Sequence, residues 1–163
     1  MTVVVLAAPT VPVLLAGLWW VVCAVPLAFI DAQVHRLPNV ITLPAAAGVF
    51  ALLTIDATVT DRWEPLIDAT ICAAVATTVF VSMGLVLGRR GMGLGDAKLI
   101  LSTTALLGWW GWGAAFGAVF FGFLSAGFVG AVLLASGRVR RGTHIPMGPF
   151  FIAGAVAMLA LPG

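Results

Sequence analysis

Charged side chains are scarce in this chain. Of its 163 residues, eight are Lys or Arg and six are Asp or Glu, whereas a soluble domain carries charge on about a quarter of its residues. An ordinary soluble fold is thereby excluded. With 62% hydrophobic residues and a mean hydropathy of +1.17, most of the chain is expected to lie in lipid. Cysteine is nearly absent as well. Cys23 and Cys72 both fall within apolar runs and form no CxxC pair, which excludes a zinc site and favours buried free thiols over a disulfide. No Lys or Arg precedes the apolar run that starts at Met1, so the basic flank of a cleavable signal peptide is missing and the first helix is expected to stay. There is no internal repeat, and with only two histidines there is no Ser-His-Asp arrangement.

What is there is apolar sequence in long blocks. Residues 1–30, 37–55, 69–88, 99–137 and 142–163 contain no Asp, Glu, Lys or Arg. A transmembrane helix takes about 20 apolar residues to cross the hydrocarbon core, so four blocks hold one span each. Block 99–137 is too long for one helix and is broken by Leu107-Gly108-Trp109-Trp110-Gly111-Trp112-Gly113. The chain therefore reads as an all-α polytopic membrane protein, a single membrane domain over residues 1–163. Its six transmembrane helices are expected at about 9–30, 38–55, 67–87, 97–108, 113–136 and 146–161. The glycines at 111, 113, 117, 122, 127 and 130 predict close packing along the fifth helix, because small residues let backbones approach in a bilayer.

The few charges set the orientation. Connections 31–38, 88–98 and 137–144 carry Arg36, then Arg89, Arg90 and Lys98, then Arg138, Arg140 and Arg141, leaving only Arg62 for the other side. The positive-inside rule places the three basic loops in the cytoplasm and both termini outside. The basic loops are topology signals, too sparse for nucleic-acid binding. The outer connections carry Asp56, Asp61, Glu64 and Asp68 in one and Trp109, Trp110 and Trp112 in the other.

Two acids remain, and both fall at the cytoplasmic ends of helices. Asp31 ends the 30-residue apolar run and Asp96 opens the run beginning at Leu99. An ionisable group at membrane depth costs several kcal/mol and persists only with a partner or a task. Two carboxylates that share one water hold one proton between them. The ionised member takes a proton from the water as it attacks a peptide carbonyl, and the protonated member donates to the carbonyl oxygen. That is aspartic-protease chemistry, and it needs no metal or cofactor. A small transporter relaying protons through the same acids is the alternative; a purely structural subunit would leave both acids unexplained.

The residues around each acid narrow the choice. Asp96 follows three alternating glycines in Gly91-Met92-Gly93-Leu94-Gly95, a segment able to approach another backbone closely. Gly93-Leu94-Gly95-Asp96 matches the GxGD signature of intramembrane aspartyl proteases. Asp31-Ala-Gln-Val-His-Arg-Leu-Pro38-Asn39 resembles the first aspartate segment of the type IV prepilin peptidase family, and Ile145-Pro146-Met147-Gly148-Pro149-Phe150 resembles that family's IPxGPF segment. Along the chain the three motifs occur in the family's order, the Asp31 segment first, and they cover essentially the whole chain.

The resemblance implies a peptidase of the inner membrane, active near the cytoplasmic face. Its substrate would be a pilin-like precursor, a basic leader joined to an apolar helix. The family's catalytic aspartates carry over to Asp31 and Asp96, and Lys98 matches a lysine often found two residues after the second. Gly93, Gly95, Pro38, Asn39, Pro146, Gly148 and Pro149 carry over as supporting motif residues. Pro38 and Pro146 are expected at helix starts, His35 and Arg36 in the adjoining loop, and Gly148 and Pro149 either as a kink that packs helix six or as the wall of a groove beside the site. Larger members have a further cytoplasmic region with paired CxxC motifs and methyltransferase activity. With no such cysteines here, the expectation is a short form that is a peptidase without methyltransferase activity.

Overall fold

A computed structural model describes residues 9–34, 37–87, 94–138 and 146–160. Among these residues the fold is six α-helices and no strand: α1 (Val11–Val34), α2 (Asn39–Thr60), α3 (Trp63–Leu87), α4 (Leu94–Gly108), α5 (Trp112–Ala135) and α6 (Gly148–Ala160). Four of them, α1, α2, α3 and α5, are long and apolar enough to cross a membrane. The expected six spans are thus six helices, of which α4 has 15 residues and α6 has 13. At 1.5 Å per residue these two reach about 22 and 20 Å, short of a bilayer core of about 30 Å.

Four boundaries move by three residues or more, each for the same reason: a charge expected to end or precede a helix is tolerated inside it, Asp96 in the first turn of α4 (Leu94–Gly108) among them. α1 continues past Asp31 to Val34, α2 runs to Thr60, and α3 begins at Trp63. Asp56 is consequently not in an outer loop but inside α2 and wholly buried. It is held by the Thr10 hydroxyl and by an ion pair with the Arg62 guanidinium at 3.4 Å. α2 stops where Asp61 takes a left-handed conformation (φ 53°) and donates its backbone N–H to the Ala57 carbonyl, a helix-ending geometry that Asp tolerates better than most residues. The break between α4 and α5 falls where expected, at Trp109–Gly111, with Gly111 at φ 107°, a conformation that excludes most side chains.

The side-chain links fix which helix ends lie together. At one end, Thr10 before α1 meets Asp56 near the end of α2, and the Trp112 indole at the start of α5 donates to Asp68 in α3. At the other end lie the last turn of α1 and the starts of α2, α4 and α6. The short α4 is the axis of the bundle, packed against each of the other five helices. Nearly every residue from Ala97 to Trp109 is buried. Its buried Ser102, Thr103 and Thr104 hydroxyls donate to carbonyls three or four residues back on the same helix, so no polar group is stranded there.

The glycine-rich α5 packs closely at fewer points than expected. A Cβ on Gly117 would meet Met158, and one on Gly122 would meet Phe151, whereas Gly111, Gly113 and Gly127 have open space around them. Gly130 is half-buried within the helix. The tightest approach to backbone belongs to α6: a Cβ on Gly154 would lie 2.3 Å from the Ala118 carbonyl oxygen and 2.8 Å from the Gly122 nitrogen. Backbone would have to move to admit it. Gly154→Ala is therefore expected to destabilise by about 1–3 kcal/mol, whereas Gly127→Ala stays within about 0.5 kcal/mol or gains slightly from helix propensity. Thermal unfolding in detergent compares the two.

Candidate active site

Asp31 lies on the twenty-first residue of α1, one turn before its last described residue, and is only 5% exposed. A carboxylate that deep in an apolar bundle needs a donor. It finds one across the chain: the backbone N–H of Gly148 donates to Asp31 Oδ2 at 2.9 Å. Gly148 is the first residue of α6, and the helix opens there because Phe150 and Phe151 both donate to the Met147 carbonyl. The first N–H groups of a helix have no partner within it, and Asp31 supplies one from outside. Pro149 sits in the same first turn, where its missing N–H leaves no bond unmade.

The starts of α2 and α4 adjoin each other. Pro38 is extended (φ −70°, ψ 135°) and caps α2, its carbonyl accepting from Ile41 and Thr42. Asn39, the first residue of α2, accepts from the Lys98 ammonium through its side-chain oxygen. The Lys98 bond crosses the α2–α4 contact. Gly95 closes the same contact, because a Cβ there would lie 3.1 Å from Leu37 Cβ. Asp96 is in the first turn of α4 and partly buried.

One apolar cluster underlies all of these groups. Leu27, Leu37, Ala76, Phe80, Ala97, Leu99, Ile100 and Phe151 pack together, joined by Ile41 and Met147 at its edge. Leu27 is one helical turn before Asp31, and Ile100 one turn after Asp96. Residues four apart share a helix face, so both acids stand at the same end of the bundle over a common floor. The other four acids, Asp56, Asp61, Glu64 and Asp68, lie at the opposite end of the helices. Of the motif residues, Pro38, Asn39, Gly95, Lys98, Pro146, Gly148 and Pro149 all fall at the Asp31 end. Gly93, His35 and Arg36 lie outside the described residues, as do Arg89, Arg90, Arg140 and Arg141. No group of three or more His, Cys, Asp or Glu able to hold a metal occurs among the described residues. Cys23 and Cys72 are free and buried.

The link that sequence reasoning missed is the one between Asp31 and Gly148. Both motifs were visible, but 117 residues separate them, and nothing in either indicates that a backbone N–H of one meets the carboxylate of the other.

The model of the type IV leader peptidase family matches residues 14–135, a span that includes both Asp31 and Asp96. The chain is 36% identical over 140 residues to the prepilin leader peptidase/N-methyltransferase of Pseudomonas putida, covering 82% of this chain and 45% of that protein. It is 35% identical over 153 residues to the Aeromonas salmonicida protein of the same name, covering 87% and 47%. The Pseudomonas aeruginosa counterpart is 33% identical over 143 residues. The chain thus spans less than half the length of these relatives. No solved structure matches it. An apolar helical bundle, an acid near the start of α4, and relatives that are prepilin leader peptidases over most of its length together place this membrane protein in the type IV leader peptidase family.

Proposed function

We propose that the protein is an aspartic-type endopeptidase of the inner membrane. It removes the basic leader from a pilin-like precursor at the cytoplasmic face, using Asp31 and Asp96 to activate water. The observation that carries this is the placement of the two acids. They stand at one end of the bundle over a shared apolar cluster, while every other acid stands at the opposite end.

The chemistry follows from that placement. Two carboxylates around one water share a proton, since both cannot ionise comfortably at close range. The ionised one accepts a proton from the water, the oxygen of which bonds to the scissile carbonyl carbon. The protonated one donates to the carbonyl oxygen. As the tetrahedral intermediate collapses and the C–N bond breaks, the proton gained from water passes to the departing amine. Cleavage therefore needs no metal and no nucleophilic side chain.

The precursor fits the surroundings of the site. Its apolar helix would lie in lipid beside the bundle, and its basic leader would remain on the cytoplasmic side with the chain's own basic connections. The partners are thus the precursor and the bilayer. Only cleavage is proposed; methylation of the new amino terminus is not part of this role. Lys98 and Asn39 hold the first turn of α4 to the start of α2, and so support Asp96 without touching substrate.

Cleavage of a co-expressed pilin-like precursor, followed as a mobility shift, tests the assignment. Asp31→Asn and Asp96→Asn should each lower the rate by about 10²–10⁴-fold, with the variant proteins present in the membrane at wild-type levels. Processing by either variant at the wild-type rate removes the two-acid mechanism. Lys98→Ala and Asn39→Ala should each slow cleavage more mildly, by about 3–10-fold, and the double variant should be no slower than the worse single one, because both remove the same contact. Additive losses in initial rate would show that the two residues act separately.

A further inference from the structure

The start of α6 is built as a rest for Asp31. Gly148 has its N–H on Asp31 Oδ2 at 2.9 Å, and a Cβ at that residue would sit 2.7 Å from the same oxygen and 3.2 Å from Asp31 Cβ. The contact thus requires two things of residue 148: a backbone donor and no side chain. Each partner is also fixed from behind. Phe151, three residues into α6, is wedged in a ring cluster with Phe80 of α3 (centroids 5.5 Å apart) and Phe123 of α5 (5.2 Å), both edge-on. Its ring lies over Gly122, where a Cβ would come within 2.5 Å of it. Leu27, one turn before Asp31, is 1% exposed and belongs to the same apolar cluster as Phe151. Donor and acceptor are therefore both held by one packed unit, and neither turns without disturbing it.

We infer that Gly148 is a positioning residue for the peptidase reaction. Its N–H holds one oxygen of Asp31, and its missing side chain keeps the space the carboxylate occupies. With Oδ2 committed to Gly148, Oδ1 is the oxygen left for the water, so the carboxylate presents a single face to the reaction. Gly148 does not touch substrate. It acts through Asp31, and this role rests on the peptidase function proposed above. Alignment of a catalytic group within a few tenths of an ångström matters most in the transition state, so loss of the hold should appear in kcat and leave KM largely unchanged.

Two variants separate the donor from the space. Replacing residue 148 by its α-hydroxy acid, glycolic acid, turns the N–H into an ester oxygen and adds no side chain. Gly148→Ala keeps the N–H and adds the Cβ. In purified protein reconstituted with a pilin-like precursor peptide, each should lower kcat by about tenfold or more, with KM within about twofold of wild type. Gly154→Ala, which strains the same helix away from Asp31, should lower the unfolding temperature and leave kcat of the folded enzyme unchanged. A kcat within twofold of wild type in the ester variant overturns the inference, as does a loss confined to KM. If Gly148→Ala fails to fold, the ester variant decides alone. If the wild-type protein cuts no precursor, the peptidase function falls first, and the contact is still tested by thermal stability. The ester and Asp31→Ala should then be coupled, and strictly additive shifts in unfolding temperature would show that no such hold exists.

Discussion

A carboxylate buried in an apolar helix must be given a donor or be expelled, and much of this structure follows from how that demand is met. Asp31 lies within α1, nearly out of reach of solvent, and the donor comes from the first turn of α6. A helix start is well suited to the task, because its N–H groups have no partners of their own and carry partial positive charge. For the contact to exist, α6 has to begin beside α1, and residue 148 has to lack a side chain. The ring cluster of Phe80, Phe123 and Phe151 then holds α6 against α3 and α5.

The same demand is met differently at the far end. Asp56 is buried more deeply than Asp31, yet its donors are the hydroxyl of Thr10 and the guanidinium of Arg62. That acid is fully engaged with local side chains and ties the start of α1 to the end of α2. At the near end Asp31 meets backbone at one helix start, at the same end of the bundle as the helix start that carries Asp96. The bundle therefore separates acids that fasten helices from the two proposed to activate water. The short α4 makes this possible. Surrounded by the other five helices, it begins level with the start of α2 and carries Asp96, partly buried, in its first turn.

The number and order of helices were legible in the sequence because lipid enforces them. Long runs without charge can be little else, and Trp109–Gly111 and Pro38 mark their boundaries as turn chemistry requires. Boundaries set by charge were misread. Asp31, Asp56 and Glu64 were each taken to end or lie outside a helix, and each lies within one. A lone acid in a sequence looks like a surface marker, since its compensating donor, Gly148 or Arg62, is supplied by folding. The glycines of α5 were misread for a related reason. Period and composition show that a helix face can pack closely, but only the position of α6 decides that Gly117 and Gly122 do so and Gly127 does not. The candidate acids themselves were legible from scarcity and from motif. Their support was not, because it runs through backbone.

The central claim is that Asp31 and Asp96 together bind a tetrahedral oxygen that forms only during the reaction. Affinity for a precursor peptide in which a hydroxyl-bearing tetrahedral carbon replaces the scissile carbonyl measures this most directly, compared with the parent peptide under conditions where neither is cut. The wild-type protein should bind the mimic at least about 100-fold more tightly than the parent. Asp31→Asn and Asp96→Asn should each abolish that gain while keeping the affinity for the parent. Equal affinity of the wild type for both peptides, or a gain that survives either substitution, would contradict the account.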